Sequence, residues 1–150
     1  MPIEFQILRD PRESVKKCSL TPLRDHPRVS FARYHPDRRL AAPDHLYLTP
    51  EGEELTPDDA GRRVLLIDCS WRRVPSLLAT VEGPLVARRL PVFRTAYPRK
   101  SSTFEDPETG LASVEALYAV SVLLGEPDPS LLESYRWRER FLELNPSLAL

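Results

Sequence analysis

Asp68-Cys69-Ser70-Trp71 places a carboxylate, a thiol, a hydroxyl and an aromatic ring in four consecutive residues. They follow Val64-Leu65-Leu66-Ile67, an apolar run typical of a strand that is buried on both faces in a parallel sheet. Ligands of open α/β sheets bind outside the carboxyl ends of the strands, so the sequence predicts a ligand site at residues 68–71. Cys69 has no nearby histidine partner to activate it, so we expect it to pack and not to act as a nucleophile.

Basic residues are concentrated in the segment that begins at this site. Between Cys69 and Phe104 one acid, Glu82, faces seven basic residues: Arg72, Arg73, Arg88, Arg89, Arg94, Arg99 and Lys100. The net charge of −1 for the whole chain hides this segregation. Arginines suit bidentate phosphate contacts, so the segment predicts a phosphate-binding surface. The alternative is a set of solvated arginines on separate faces.

Several classes of site are disfavoured. The two cysteines, Cys18 and Cys69, form no C-x-x-C pair, and the three histidines lack zinc-ligand spacing and are expected in loops or on the surface. Neither a G-x-G-x-x-G nor a Walker pattern occurs, which disfavours Rossmann and P-loop chemistry. The sequence has no apolar run of about 18 residues and no secretory signal, so we expect a cytoplasmic protein with reduced thiols.

The hydrophobic pattern predicts short elements separated by proline-rich connections. Strands are expected at residues 3–8, 29–34, 45–48 and 64–67, the third ending at Thr49-Pro50. Helices are expected from Thr56 as N-cap, at residues 76–81, 111–124 and 129–144; the third is apolar nearly all round and therefore largely buried. In the last helix, Leu132, Tyr135, Phe141 and Leu142 are expected to face inward, and Arg136, Arg138 and Arg140 outward. This pattern predicts an α/β fold with a mainly parallel sheet, in a single compact unit of residues 1–150.

Five short motifs occur in a recognisable order and spacing. They are Lys16-Lys17-Cys18-Ser19, Leu48-Thr49-Pro50, Asp68-Cys69-Ser70-Trp71, Arg89-Leu90-Pro91 and Leu111-Ala112-Ser113-Val114-Glu115-Ala116. The ordered set, with Phe141-Leu142-Glu143-Leu144-Asn145 near the end, resembles the small-subunit ribosomal RNA aminocarboxypropyltransferases of archaea and eukaryotes.

The resemblance implies a SPOUT-like fold with flanking helices and a C-terminal trefoil knot that holds S-adenosylmethionine. It implies transfer of the 3-amino-3-carboxypropyl group to a uridine-type base of small-subunit rRNA. The expected parts are an N-terminal α/β part, about residues 1–60, and a knotted cofactor-binding part, about residues 61–150. The expected partner is the rRNA or its precursor particle, with no metal and no membrane, and we expect a monomer.

Two segments depart from the family pattern. The family's Ala-Ala-Asn-Pro-x-Asn-Tyr-Gly is replaced by residues 95–102, and its Leu-Ser-Cys-Val-Glu-Ala by residues 111–116. Both segments are expected to line the cofactor pocket. Two alternatives therefore stay open: a SPOUT-type RNA methyltransferase, or a non-catalytic RNA-binding assembly protein of the same fold.

The resemblance also assigns candidate residues. Asp68 and Trp71 are the catalytic candidates: Asp68 as a base or a balance for the sulfonium charge, Trp71 as a wall against the methyl group. Otherwise Asp68 bonds backbone donors at the strand end, and Trp71 is a core residue. The cofactor-binding candidates are Ser19, Leu48, Asp68, Trp71, Leu90, Tyr97, Leu111 and Ser113. The RNA-binding candidates are Arg72, Arg73, Arg94, Arg99 and Lys100.

Overall fold

Short strands and helices alternate along the chain in the computed structural model, which describes residues 3–12, 20–98 and 111–149. The strands are β1 Phe5–Arg9, β2 Val29–Arg33, β3 Leu40–Ala41, β4 Leu46–Glu54, β5 Val64–Asp68, β6 Val81–Glu82 and β7 Val86–Arg89. The α-helices are α1 Val74–Leu78, α2 Ser113–Leu123 and α3 Arg138–Leu144. Single 3-10 turns occupy Thr21–Leu23, Pro57–Asp59, Trp71–Arg73, Pro129–Leu132 and Pro146–Leu148.

Five of these strands form one sheet, in the order β2-β1-β5-β4-β7, and every neighbouring pair is parallel. β3 and β6 form a separate parallel pair. Val64 and Leu65, on opposite faces of the central strand β5, are both fully buried, as expected of a parallel sheet covered on both sides. The predicted α/β class with a mainly parallel sheet is confirmed.

The two faces of the sheet belong to two cores. Phe5 and Ile7 of β1 join a larger cluster with residues of α2 and α3, whereas Leu8 joins a smaller one with Leu77 of α1. α2 is buried from residue 114 to residue 121, which confirms that the helix that is apolar all round lies inside the molecule.

β4 does not end at Thr49-Pro50, so that prediction is wrong. The strand continues to Glu54, and its register with β7 shifts between Leu48 and Glu53. Pro50 lies inside this irregularity, where the missing N–H of proline costs no ladder hydrogen bond. A Cβ added at Gly52 would lie 2.5 Å from the amide nitrogen of Arg88, so the bulge packs backbone against backbone.

The predicted helix over residues 129–144 is also wrong as one element. It consists of the turn Pro129–Leu132 and helix α3, joined by i to i−3 backbone bonds on either side of Tyr135. The buried hydroxyl of Tyr135 donates to the Glu115 carboxylate at 3.0 Å, a tertiary contact that accompanies the break. The predicted faces are nevertheless confirmed: the named apolar residues are buried or half-buried, and the three arginines are exposed.

Other boundaries shift less. The helix expected from Thr56 is a single turn, Pro57–Asp59, because Gly61 soon turns the chain at a φ of 94°. α1 begins at Val74, two residues before the predicted start, with Pro75 in its first turn.

His45 corrects the expectation that the histidines lie in loops or on the surface. It is 5% exposed at the start of β4, between the central β5 and β7. Its Nδ1 lies 3.1 Å from the carbonyl oxygen of Pro43 and therefore donates to it, whereas the buried Nε2 has no hydrogen-bond partner among the described residues.

Candidate functional site

The carboxyl ends of β1 and β5 meet at the point where the order of the parallel sheet reverses. From β1 the chain continues to β2 on one side, and from β5 to β7 on the other. Such a switch point leaves a crevice, which is the usual ligand site of open α/β sheets. The predicted Asp68 to Trp71 segment leaves β5 here, beside Arg9 of β1 and Asp10, the residue that follows β1.

Asp68 is bonded to an arginine of the neighbouring strand. Parallel pairing sets Arg9 opposite Asp68, and the Arg9 Nε donates to the Asp68 Oδ2 at 3.0 Å. The guanidinium of Arg9 also lies over the ring of Phe31, 4.7 Å from its centroid. Asp68 is 9% exposed, so the ion pair is largely shielded from solvent.

A second ion pair joins the end of β1 to the turn after β5. The Nε of Arg73 donates to the Oδ2 of Asp10 at 3.0 Å, and the backbone N–H of Arg12 donates to its Oδ1. Burial alone would raise the pKa of Asp10, but these bonds and the arginine charges together lower it. The bond to Asp10 raises the pKa of Arg73, whose guanidinium lies 5.5 Å from the ring centroid of Tyr34.

Trp71 is exposed directly after β5. It opens the turn Trp71–Arg73 directly after β5 and keeps 48% of its surface accessible. The alternative that it is a core tryptophan is therefore wrong, and its contact with a ligand stays a prediction. Cys69, by contrast, packs against the smaller core, as expected.

Four of the predicted apolar cofactor contacts border the larger core. Leu48, Leu90, Tyr97 and Leu111 are all half-buried and packed against it. Leu48 precedes the β4 bulge and Leu90 follows β7, so both lie at the carboxyl edge of the sheet. Ser113 opens α2 and is half-buried. Each therefore combines a fixed position with some accessible surface.

The irregular chain at residues 94–97, here called the 94–97 segment, is held by a buried carboxylate. Glu115 is fully buried, and its oxygens accept hydrogen bonds from the Thr95 hydroxyl at 2.6 Å and the Ala96 N–H at 2.9 Å. The N–H of Ala112 and the hydroxyl of Tyr135 donate to the same carboxylate at 2.8 and 3.0 Å. Glu115 thus joins the two segments that depart from the family pattern.

Asn145 holds the same segment from the C-terminal side. Its side chain accepts from the Arg94 N–H and donates to the Arg94 carbonyl, both at 2.8 Å, and it also bonds the Phe141 carbonyl. The ring of Tyr97 meets that of Trp137 edge to face, with centroids 5.3 Å apart. The 94–97 segment is therefore irregular in backbone but fixed at each residue.

Some candidates lie elsewhere or outside the described residues. Ser19, Arg99 and Lys100 fall outside them, as does Cys18. Arg72 and Arg94 are exposed, whereas Arg73 is committed to Asp10. Arg9 and Asp10 were not identified as site residues in the sequence analysis. Their position at the end of an alternating apolar strand would have indicated them.

A serine, a histidine and an aspartate come together at a second crevice, but with the wrong proton order for nucleophilic catalysis. The Arg28 N–H donates to the Nδ1 of His26, so Nε2 carries the proton and donates to the Ser130 hydroxyl at 2.8 Å. That hydroxyl in turn donates to Asp128. Since the serine proton points to the carboxylate and not to the histidine, this chain is a structural link.

Residues 46–149 match the profile of the family described as "Ribosome biogenesis protein, C-terminal". The chain belongs to this family. The matched region of this ribosome biogenesis protein includes Asp68, Trp71 and the 94–97 segment, whereas Arg9 and Asp10 precede it.

A solved structure extends the similarity to nearly the whole ribosome biogenesis protein. The SAM-dependent rRNA:acp-transferase Tsr3 from Vulcanisaeta distributa is 26% identical, with a TM-score of 0.75 over 97% of this chain and 80% of that one. No curated protein sequence matches this chain.

The described part of the ribosome biogenesis protein contains no group of three or more histidine, cysteine or acidic side chains that could hold a metal ion. No described helix is long and apolar enough to cross a membrane.

Proposed function

We propose that this protein transfers the 3-amino-3-carboxypropyl group of S-adenosylmethionine to a uridine-type base of small-subunit rRNA during ribosome maturation. The similarity to an rRNA:acp-transferase, at 26% identity and over 97% of the chain, is the observation that carries this proposal. Membership of a ribosome biogenesis family supports the same cellular process.

The candidate residues carry the kinds of side chain that S-adenosylmethionine needs. The half-buried Leu48, Leu90, Tyr97 and Leu111 offer apolar surface for an adenine ring, and Asp68 offers negative charge for a sulfonium. Ser113 and Ser19 are the proposed polar contacts. When bound, the cofactor would supply the aminocarboxypropyl carbon: a base nitrogen would bond to it as the carbon–sulfur bond breaks, methylthioadenosine would be released, and the nitrogen's proton would pass to solvent.

Asp68 acts as an electrostatic partner and not as a base. Its carboxylate is bonded to Arg9 at 3.0 Å, and taking up a proton from the RNA base would weaken that ion pair. Held between β1 and β5, it presents a fixed negative charge to a cation in the crevice.

Trp71 selects which carbon is attacked. Three alkyl groups on one sulfonium compete, and only geometry distinguishes them. The exposed ring of Trp71 lies directly after β5, where it covers the methyl group and leaves the aminocarboxypropyl carbon accessible to the attacking nitrogen.

The RNA lies across the exposed edge near this site. Arg72 and Arg94 contact phosphates, joined by Arg99 and Lys100 from the adjoining segment. The guanidinium of Arg73 is bonded to Asp10, so Arg73 contributes to RNA binding by fixing the turn Trp71–Arg73 in position.

The remaining features follow from the family and the fold similarity. We infer a SPOUT-type C-terminal trefoil knot over about residues 61–150, after an N-terminal α/β part of about 60 residues, in a monomeric cytoplasmic protein that needs no metal. The similarity over 97% of the chain supports the knot. A crystal structure tests the knot by showing whether residues 99–110 pass through the loop formed by the residues before them.

The experiment uses S-adenosylmethionine labelled separately in the methyl group and in the carboxyl carbon, with unmodified small-subunit rRNA as acceptor. Carboxyl label in the RNA, together with released methylthioadenosine, is the expected result. Methyl label in the RNA identifies a methyltransferase instead. Binding of cofactor and RNA without transfer of either label identifies a non-catalytic assembly protein.

A further inference from the structure

A second basic surface flanks the switch point on the side of β2. The chain from the end of β2 to the start of β3 carries Arg33, Arg38 and Arg39 against one acid, Asp37. These arginines surround an open cleft of about 220 Å³, which Tyr34 and other residues also line. The cleft is below the volume of about 300 Å³ where small-molecule sites begin, so it suits a charged group of a larger ligand.

Two of these guanidiniums are available to a ligand. Within the described ranges, the side chains of Arg33 and Arg38 form no hydrogen bond or ion pair, and both are exposed. Arg39 bonds the carbonyl of Ala79 and lies 3.9 Å from Glu82. By contrast, Arg9 and Arg73 each hold an internal carboxylate, which an incoming phosphate would have to displace.

The cleft is joined to the candidate active site by direct contacts. Arg33 is the register partner of Arg9 in the β1–β2 ladder, and the Tyr34 N–H donates to the Arg9 carbonyl at 2.8 Å. The guanidinium of Arg73, three residues after Ser70, lies over the Tyr34 ring. The cleft therefore adjoins Arg9 and Arg73, the two arginines that hold the ends of β1 and β5.

We propose that Arg33, Arg38 and Arg39 form a docking surface for the phosphate backbone of the RNA segment next to the modified base. The inference rests on the proposed function for its RNA partner. Paired guanidiniums bind phosphate oxygens in bidentate fashion, and their position beside the switch point sets the register of the RNA on the site.

The test compares two double charge reversals, Arg33→Glu/Arg38→Glu and Arg62→Glu/Arg63→Glu. The control pair precedes β5, at the amino edge of the same sheet, and is equally exposed. The probe is in vitro transcribed, unmodified small-subunit rRNA. Its Kd is measured by filter binding at salt concentrations between about 50 and 200 mM. The first variant is expected to lose at least about tenfold in affinity and to lower the salt slope by about two. The control is expected to change less than about threefold.

Equal losses of RNA affinity in the two charge-reversal variants would mean that total charge, and not this surface, governs binding. An unchanged Kd in Arg33→Glu/Arg38→Glu would also overturn the inference. Arg33→Gln/Arg38→Gln, which adds no negative charge, is expected to move the Kd in the same direction by a smaller factor. Both variants should bind S-adenosylmethionine as the wild type does.

Turnover distinguishes failure of this inference from failure of the proposed function. If the wild type transfers the group and Arg33→Glu/Arg38→Glu keeps the same KM for RNA, the docking surface is wrong and the activity stands. If the wild type neither binds the rRNA nor transfers the group, both are wrong.

Discussion

Asp10 follows β1 and Asp68 ends β5, and the backbone N–H of Asp10 donates to the Asp68 carbonyl. The side chain of each is bonded to an arginine, Arg73 and Arg9 respectively. These two arginines come from different segments, so the pairs fix the turn after β5 against the end of β1. The end of the strand that carries Asp68 is therefore held rigidly.

Asp10→Asn tests the ion pair of Asp10 with Arg73 through its pH dependence. Because the pKa of Asp10 in the folded protein is below its ordinary 3.8, its ion pair stabilises the fold above that value and loses its effect as the pH falls further. At pH 7 the variant is expected to lose about 1.5–3 kcal/mol, the range for a hydrogen bond to a charged group. Urea unfolding at pH 7 and pH 3 measures the difference. A loss that is the same at both pH values contradicts the ion-pair account.

Trp71→Ala separates a pocket residue from a core residue. With 48% of its surface exposed, Trp71 should contribute little to folding, so the melting temperature is expected to change only slightly. Cofactor binding is expected to weaken by about 2–4 kcal/mol, as for an aromatic contact at a binding site. Phe141→Ala, in the buried core, is the control and should cost about 3–5 kcal/mol of stability. A variant that melts early yet binds cofactor normally would move the site away from Trp71.

At the level of elements, the first turn of α2 serves as an anchor for an irregular segment. Glu115 is a buried charge with four donors, and those donors come from the 94–97 segment, the start of α2 and the turn before α3. Burial, with the charge of Glu115, raises the pKa of Tyr135, so its hydroxyl stays a donor at neutral pH. One carboxylate thus replaces the regular backbone bonding that the 94–97 segment lacks.

Two isosteric variants remove separate hydrogen-bond donors to Glu115. Thr95→Val removes the donor on the 94–97 segment and is expected to weaken S-adenosylmethionine binding about fivefold, corresponding to roughly 1 kcal/mol. Tyr135→Phe removes the donor on the other side of the same carboxylate. It is expected to lower stability by about 1–3 kcal/mol and to leave cofactor affinity unchanged. Calorimetric titration and thermal unfolding of both variants measure this split. If Thr95→Val lowers stability and leaves cofactor affinity unchanged, Glu115 serves stability alone.

For the molecule as a whole, cofactor binding should appear as stabilisation. A ligand at one hundred times its Kd stabilises the folded state by about 2.7 kcal/mol. For a chain of this length that corresponds to an increase in melting temperature on the order of 5–10 °C. Adenosine at the same concentration is the control and should give a smaller shift. No shift at millimolar S-adenosylmethionine would contradict the proposed cofactor.

Local patterns predicted those parts of the fold that depend on local sequence. The apolar run at residues 64–67 identified the central strand, and the all-round apolar stretch identified α2 as buried. Long-range contacts were not predictable in the same way. The Arg9–Asp68 pair spans 59 residues, and neither residue type indicates which of 21 basic and 22 acidic residues is its partner.

Proline and tyrosine positions explain the errors. A proline usually ends a strand, but Pro50 lies in a bulge whose need for Gly52 appears only once β7 is beside it. Tyr135 fits a helical pattern, yet its hydroxyl is bonded to Glu115 where the helix is interrupted. In the candidate site, position relative to β5 predicted Asp68 and Trp71, whereas the arginine and aspartate of β1 required the sheet order.

The bond between Asn145 and Arg94 has a consequence during protein synthesis. The two residues are 51 positions apart, so at about 5–20 residues per second Asn145 is added roughly 3–10 seconds after Arg94. Throughout that interval every strand of the five-stranded sheet has been synthesised, but the side chain that fixes the 94–97 segment has not. The bonds that hold this segment can therefore form only after the strands have been made.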